Sequence, residues 1–198
     1  MEIKREARTT DEIKVKLNDC RTLYNKIALL EGLTGRDLDI VAKKFVYTQL
    51  VELYLSKGMY DKAAKAMRGK AGLNTLYREL VEDYVKAGEY YIKAGRIQEG
   101  DDMFNRALAE ASGEQVARIK MTMKNVLFAT AKEFEAKKRT SAAIPFYYKV
   151  LRLSSLTPIE KTEVKGKLMG IYKSFGMFRE LKLLEGIWFF IFGLRFLL

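Results

Sequence analysis

Histidine is absent from this chain of 198 residues, and cysteine occurs once, as Cys20. Without histidine, every catalytic arrangement that uses an imidazole base is excluded, and most metal sites lose a usual ligand. A single thiol excludes a disulfide within the chain, which favours a reducing compartment. Cys20 lies in a predicted amphipathic helix with no neighbouring base, so we expect it to be a partly buried structural residue. The sequence therefore predicts no enzyme, no metal site and no cofactor.

Proline is also scarce, since only Pro145 and Pro158 occur. No alternation of apolar and polar residues persists beyond a few positions, so strands are not predicted. Long stretches rich in Ala, Leu, Lys and Glu favour helix nearly throughout, and the predicted fold class is all-α. Met1–Arg5 lacks the apolar run of a secretory signal peptide, from which we expect a cytoplasmic protein.

Two further patterns resemble parts of catalytic or phosphate-binding sites only weakly. Gly69–Gly72 lacks the residues that a phosphate-binding loop needs, and no strand precedes it, so it is interpreted as a linker. Carboxylates occur in clusters on predicted helices, but no metal ligand or pocket accompanies them, so they are expected to be solvated. These carboxylates are Glu79, Glu82, Asp83, Asp101 and Asp102.

Basic residues are concentrated in the C-terminal half of the chain. Residues 1–112 contain 20 Lys and Arg against 18 Asp and Glu, whereas residues 113–198 contain 16 against 7. Such an asymmetry favours an anionic partner, with an RNA or a ribosomal surface as one alternative, although no RNA-binding motif occurs. The candidate residues are Arg118, Lys120, Lys124, Lys137, Lys138, Arg139, Lys161, Lys165 and Lys167.

The last residues of the sequence, 187–198, are dense in aromatic side chains. The uncharged run from Gly186 to Leu194 is too short to span a bilayer. Three alternatives remain open: a last helix that packs on its neighbour, a homodimer contact, or shallow insertion into a membrane interface as a peripheral anchor. The candidate residues are Trp188, Phe189, Phe190, Phe192 and Phe196.

One short pattern occurs four times: an aromatic residue is followed after three residues by glycine or, once, by lysine. The four copies are Tyr54 to Gly58, Tyr91 to Gly95, Phe134 to Lys138 and Tyr172 to Gly176. The aromatic residues are separated by 37, 43 and 38 positions. A repeat of this period predicts stacked helical hairpins, because one hairpin cannot bury its apolar face alone.

The repeat divides the chain into predicted segments. Residues 1–10 are predicted to be flexible, and residues 11–198 to form a single domain. That domain contains an N-terminal helix within 11–35 and four antiparallel hairpins, at 36–72, 73–112, 113–156 and 157–198. The N-terminal helix is expected to run unbroken from Asp11 to Glu31, with Thr10 or Asp11 as its cap.

Capping signals predict where the later helices begin. Asp37 is the expected cap of the second helix. Ser112 and Gln115 are expected to cap the long helix that follows. Thr157 and Glu160 form a capping box around Pro158, which is a specific helix start.

The repeat resembles tetratricopeptide repeats of the variety with long helices, over about residues 44–185. The second copy matches best, with Gly100 where alanine is usual; Lys138 replaces a glycine in the third copy. The matching residues of the second copy are Tyr84, Gly88, Tyr91, Gly95, Phe104 and Ala107. The resemblance implies a short right-handed α-solenoid whose concave groove, formed by the first helix of each hairpin, binds a partner protein.

The same resemblance implies which residues line that groove: Phe45, Thr48, Glu52, Leu55, Glu82, Val85, Glu89, Ile92, Asn125, Phe128, Lys132 and, at its end, Glu135. The residues of a peptide-carboxylate clamp are missing, so that activity is not expected. An apolar middle and an acidic N-terminal side favour a basic amphipathic helix as ligand. The alternative is that the N-terminal helix of this chain fills the groove. The leading hypothesis is thus a non-enzymatic adaptor or scaffold that binds a helical or extended peptide.

Overall fold

The computed structural model describes residues 9–192 and, for residues 186–192, only the backbone. Within that range the chain forms ten α-helices and no strand, so the all-α prediction is confirmed. The helices are α1 (Thr10–Asp19), α2 (Leu23–Thr34), α3 (Ile40–Ser56), α4 (Tyr60–Ala71), α5 (Tyr77–Lys93), α6 (Ile97–Glu110), α7 (Glu114–Ala136), α8 (Thr140–Leu151), α9 (Pro158–Ser174) and α10 (Phe178–Phe192).

The chain divides into two compact units between Met123 and Lys124, inside α7. In the first unit, successive helices from α2 to α6 pack against one another, and α1 packs against α3. Its core contains Val46, Leu50, Tyr54, Ala63, Met67 and Tyr91, all buried. In the second unit, α9 packs against both α8 and α10. Its core contains Leu127, Tyr147, Val150 and Leu168, which are fully buried.

Each copy of the repeated pattern forms the same helix-terminating turn. After Tyr54, the amide of Met59 donates to the Tyr54 carbonyl at 2.8 Å, and the amide of Gly58 donates to the Leu55 carbonyl at 3.0 Å. This pair of hydrogen bonds defines a Schellman motif. The same two bonds recur after Tyr91, Phe134 and Tyr172. A second helix then begins one residue beyond each turn, so the four helix pairs α3/α4, α5/α6, α7/α8 and α9/α10 share one connection.

The turn residue that adopts the left-handed conformation is glycine in three copies and lysine in one. Gly58, Gly95 and Gly176 have φ values of 68°, 84° and 67°, and Lys138 has φ 57°. A residue with a Cβ atom is strained in this conformation, whereas glycine is not. The third turn therefore keeps the geometry of the others despite a less suitable residue.

The first helix of each pair ends two residues after the repeated aromatic residue. Helices α3, α5 and α9 each have 17 residues, whereas α7 has 23. Because α7 gains its extra residues at its start, the interval from Tyr91 to Phe134 exceeds the others. The resulting long α7 contributes to both compact units.

Small residues allow α5 and α6 to approach closely. A Cβ atom on Gly88 would lie 2.9 Å from the Phe104 ring, and one on Gly100 would lie 2.6 Å from the Ile92 Cδ1 atom. Glycine at position 100, where the resemblance would place alanine, thus leaves room for Ile92.

The predicted unbroken helix from Asp11 to Glu31 is wrong. Helix α1 ends at Asp19, and Cys20 follows in an extended, partly buried position. Thr22 then caps α2 by accepting the amide of Asn25 at 3.1 Å. The cap of α1 is Thr9, which forms a capping box with Glu12, so Thr9 and Thr10 belong to the helix start. The rest of the segment predicted to be flexible lies outside the described residues.

Other capping predictions have mixed outcomes. Asp39 caps α3 in place of Asp37, and its carboxylate accepts the Ala42 amide at 2.7 Å. Of the reciprocal pair predicted at Ser112, only the Gln115 side chain reaches back, accepting the Ser112 amide at 3.4 Å. Thr157 and Glu160 form the predicted capping box, with Pro158 at the first helical position.

Gly69 is not part of a linker, contrary to prediction, because α4 continues through it to Ala71. A Cβ atom at Gly69 would lie 2.7 Å from the Tyr47 ring. This glycine therefore serves the packing of α4 against α3. Its position in the helix costs some helix propensity, which the contact with Tyr47 offsets.

Asp83 and Asp101 are buried, at 4% and 8% exposure, so the prediction of solvated carboxylates is wrong for both. Asp83 lies eight positions before the repeated aromatic residue, where the other three copies have Val46, Val126 and Val164, all buried. In this valine position, the Asp83 carboxylate accepts from Lys70 Nζ at 3.1 Å and from Asn74 Nδ2 at 2.8 Å. An ion pair between a buried carboxylate and a partly exposed ammonium thus joins α4 to α5.

Replacing Lys138 by glycine should raise the free energy of unfolding by about 1 kcal/mol, because glycine removes the left-handed strain. Urea denaturation monitored by circular dichroism measures the change. Lys137→Gly, one residue earlier, is the matched control and should give no gain. An equal gain from both variants would contradict the assignment of strain to position 138.

Lys70→Met should destabilise the protein by roughly 3 kcal/mol, because it leaves the Asp83 carboxylate buried without a counter-ion. The double variant Lys70→Met/Asp83→Val should recover most of this loss, since valine occupies the equivalent position in the other copies. Thermal or urea unfolding of both variants tests this. If the double variant is no more stable than Lys70→Met, the ion pair is not the source of the loss.

Candidate functional site

Three positions on each first helix lie on one side of that helix, and we name this side the first-helix face of the helix. They lie nine, six and two residues before the repeated aromatic residue, a spacing that places them on the same side of an α-helix. On α3, α5 and α7 they are the residues that the resemblance assigned to the groove. The members are Phe45, Thr48 and Glu52; Glu82, Val85 and Glu89; Asn125, Phe128 and Lys132.

On α3, part of this face is covered by α1. Lys14 Nζ lies 5.8 Å from the centre of the Phe45 ring. Ile13 and Leu17, four residues apart on α1, are buried against the first unit. The hydroxyl of Thr48 donates to the Lys44 carbonyl of its own helix, and Glu52 is exposed and accepts from Gln49.

On α5, the face is open and forms one wall of a groove of about 490 Å³. The start of α7 forms the opposite wall, within the same compact unit. The groove has an apolar floor, because Val81, Val85 and Ile119 line it and two of them are buried. Its polar lining consists of Arg78, Glu82, Lys86, Glu89, Gln115, Arg118 and Thr122.

The charges of this groove differ from the acidic surface that the sequence predicts. Glu82 pairs with Arg78 at 3.2 Å. Burial raises the pKa of Glu89, while Lys93 and Lys86 oppose the shift. Lys86 and Arg118 are exposed and have no ion pair within residues 9–192. Arg118 was assigned to a separate anionic-partner patch, but the structure brings it to the groove.

Two residues assigned to the groove belong instead to the packing between helices. Ile92 is fully buried, and its side chain fills the space beside Gly100. Leu55 is half-buried and packs against the core of the first unit. Both lie one residue after the repeated aromatic residue, which turns them away from the first-helix face.

In the second unit, Asn125 and Phe128 line a small recess of about 90 Å³ beside α9. Phe128 contacts Tyr147 of α8 edge to face, with ring centres 5.8 Å apart. The Lys132 ammonium lies 4.3 Å from the centre of the Phe128 ring, a cation–π contact. Glu135, at the end of the predicted groove, accepts from the Tyr147 hydroxyl at 2.7 Å, and burial raises the pKa of this tyrosine.

The fourth copy also has a first-helix face, which the sequence reasoning missed. Glu163, Gly166 and Gly170 occupy its three positions and line a recess of about 480 Å³ with Glu135 and Lys167. Adding the interval of 38 residues to Asn125, Phe128 and Lys132 would have identified them.

The predicted anionic-partner patch does not form one cluster of free cations. Lys124 pairs with Glu160, Lys137 with Glu133, and Lys167 lies 3.5 Å from Glu135. Burial lowers the pKa of Lys165. Lys138 and Arg139 lie in the turn after α7, where Arg139 is 5.2 Å from the centre of the Phe134 ring. Lys120 and Lys161 are exposed.

The aromatic side chains predicted to form a dimer contact or a membrane anchor lie outside the described residues. The backbone of α10 runs to Phe192. The side chains of Trp188, Phe189, Phe190 and Phe192, and all of Phe196, lie outside the described part of the chain.

Within residues 9–192, neither a membrane span nor a cluster of metal ligands is found. No helix between Thr10 and Phe192 combines the length and the apolar character that a membrane span requires. In the same part of the chain, no group of three or more acidic, cysteine or histidine side chains is arranged to hold a metal ion.

Comparison with known proteins adds no relative. No protein-family model, no curated protein and no solved structure matches the chain.

The capping carboxylate Glu160 should titrate far below its ordinary pKa. Lys124 Nζ donates to Glu160 at 2.6 Å, and the amide and hydroxyl of Thr157 add further bonds, which lower its pKa to about 2. Because the folded pKa lies below the unfolded value, this contribution to stability is present above about pH 4.5 and is lost as the pH falls toward about 2.

Lys124→Met should raise the Glu160 pKa, as measured by NMR titration of the side-chain carboxyl carbon. Lys161→Met, which removes a cation one residue after Glu160, is the control and should leave the pKa nearly unchanged. Equal shifts in both variants would show that general charge, and not the Lys124 hydrogen bond, lowers the pKa.

Proposed function

We propose that this protein is a non-enzymatic adaptor of the tetratricopeptide-like kind, with its helix pairs stacked as a short right-handed α-solenoid. In this proposal, the first-helix face binds a helical or extended segment of a partner protein. Such repeats use extended surfaces for recognition, because each helix pair contributes equivalent positions to one face.

The observation that best supports the proposal is the open groove between α5 and the start of α7. It combines an apolar floor with polar walls, which is the composition expected where an amphipathic segment docks. Val85 lies half-exposed in this groove, next to the buried Val81 and Ile119. A partner that covers Val85 would remove apolar surface from water, and each Å² so removed contributes roughly 25 cal/mol.

Val85→Glu tests the proposal directly. The immobilised protein is incubated with nuclease-treated lysate of the native cells, and retained proteins are identified by mass spectrometry. We expect one or a few proteins to be retained by the natural sequence and lost with Val85→Glu, because a charge on the floor opposes apolar docking. Asn105→Glu, at an exposed position of α6, is the control and should retain them.

Two results would contradict the proposal. In the first, no retained protein depends on Val85. In the second, retention occurs only when nuclease is omitted, which would support the RNA- or ribosome-associated alternative that the basic C-terminal half suggests.

A further inference from the structure

The contact between α1 and α3 shows what kind of segment the first-helix face can accept. Helix α1 has only 10 residues, yet it buries Ile13 and Leu17, which are four positions apart. Its Lys14 lies over Phe45, which occupies the first position of the face. A short helix that buries two aliphatic residues in the core of this unit thus packs beside the first-helix face of α3.

The open groove on α5 has equivalent positions and an aliphatic floor, but its unpaired charges are positive. Lys86 extends from α5 and Arg118 from α7, so the two walls each contribute an exposed cation without an ion pair in the described residues. The acidic side chains offset only part of this positive charge. Glu82 is paired with Arg78, and Glu89 is partly withdrawn from water and interacts with the charges of Lys93 and Lys86, which lower its pKa against the effect of burial.

We propose that this groove binds an acidic amphipathic helix of a partner protein, whose aliphatic residues cover Val81, Val85 and Ile119 and whose carboxylates pair with Lys86 and Arg118. This inference rests on the proposed adaptor function and names the chemistry of its partner. It reverses the basic ligand that the sequence alone favours, because the sequence could not show that Arg118 faces α5.

The composition of the groove favours a protein helix over a nucleic acid. Single-stranded nucleic acids bind where bases stack on aromatic side chains, and the lining of this groove contains none. A phosphate backbone has no aliphatic face that could cover Val81, Val85 and Ile119. A helix can direct its carboxylates outward to Lys86 and Arg118 while its aliphatic face covers the floor.

Fluorescence anisotropy with synthetic peptides tests the inference. The probe is a labelled helical peptide of about 14 residues, roughly four turns, with leucine on one face and glutamate elsewhere. The comparison peptide has lysine in place of glutamate. We expect the glutamate peptide to bind more tightly, and Arg118→Glu to weaken it by about tenfold, because a buried or partly buried ion pair is replaced by repulsion.

Since the chain carries a net charge of +11, general attraction of an acidic peptide must be separated from the groove. Arg106→Glu, at an exposed position of α6, makes the same change of net charge outside the groove and should weaken binding much less. Glu89→Gln should change affinity in the other direction, tightening the glutamate peptide by about threefold through removal of a like charge. Polyglutamate, which lacks leucine, should compete poorly.

Three results would overturn the inference: equal binding of both peptides, equal effects of Arg118→Glu and Arg106→Glu, or efficient competition by polyglutamate or by an RNA oligonucleotide. Each variant is checked by circular dichroism, and Lys86→Glu provides a second test should Arg118→Glu fail to fold. If Val85→Glu still abolishes capture of a partner while the peptide results fail, the adaptor function stands and only the acidic character of its ligand is wrong.

Discussion

The hydrogen bond from an amide to the carbonyl of an aromatic residue five positions earlier determines most of this architecture. It occurs after Tyr54, Tyr91, Phe134 and Tyr172, with lengths of 2.8 or 2.9 Å. The bond requires a left-handed residue just before the donor, which ends the first helix and reverses the chain. The next helix then begins at once and packs on the first. Because the aromatic residue is the acceptor, the turn also fixes where its side chain enters the core.

Features that depend on neighbours in sequence were therefore predictable. The aromatic-to-glycine spacing predicted four helix pairs, and Thr157 with Glu160 predicted a helix start, because both signals act within one turn of helix. The N-terminal break was missed. Thr22 and Cys20 lie within an acceptable helical pattern, but in the structure Thr22 caps α2 and α1 packs separately on α3.

Features that depend on another helix were not predictable from local pattern. The sequence around Gly69 is typical of a loop, but in the structure Gly69 lies against the Tyr47 ring. The sequence around Asp83 is typical of a solvated carboxylate, but in the structure Lys70 pairs with it. The candidate site likewise contains residues that the local pattern identifies and residues that only helix packing brings there. The register assigned Glu82, Val85 and Glu89 to one side of α5, and all three line the groove together with residues at the start of α7. The repeat does not indicate which helix those α7 residues face.

The ion pair between Lys70 and Asp83 distinguishes the contact between α4 and α5 from the other contacts, although all four helix pairs have the same turn. In the other copies, valine at the equivalent position would accept any apolar neighbour, whereas Asp83 is satisfied only beside the ammonium and amide that α4 and the segment after it provide. Shuffling the order of the hairpins, or deleting α3 and α4, would strand a carboxylate in an apolar setting. This contact therefore requires α4 and α5 to remain neighbours, a requirement that the shared turns do not impose.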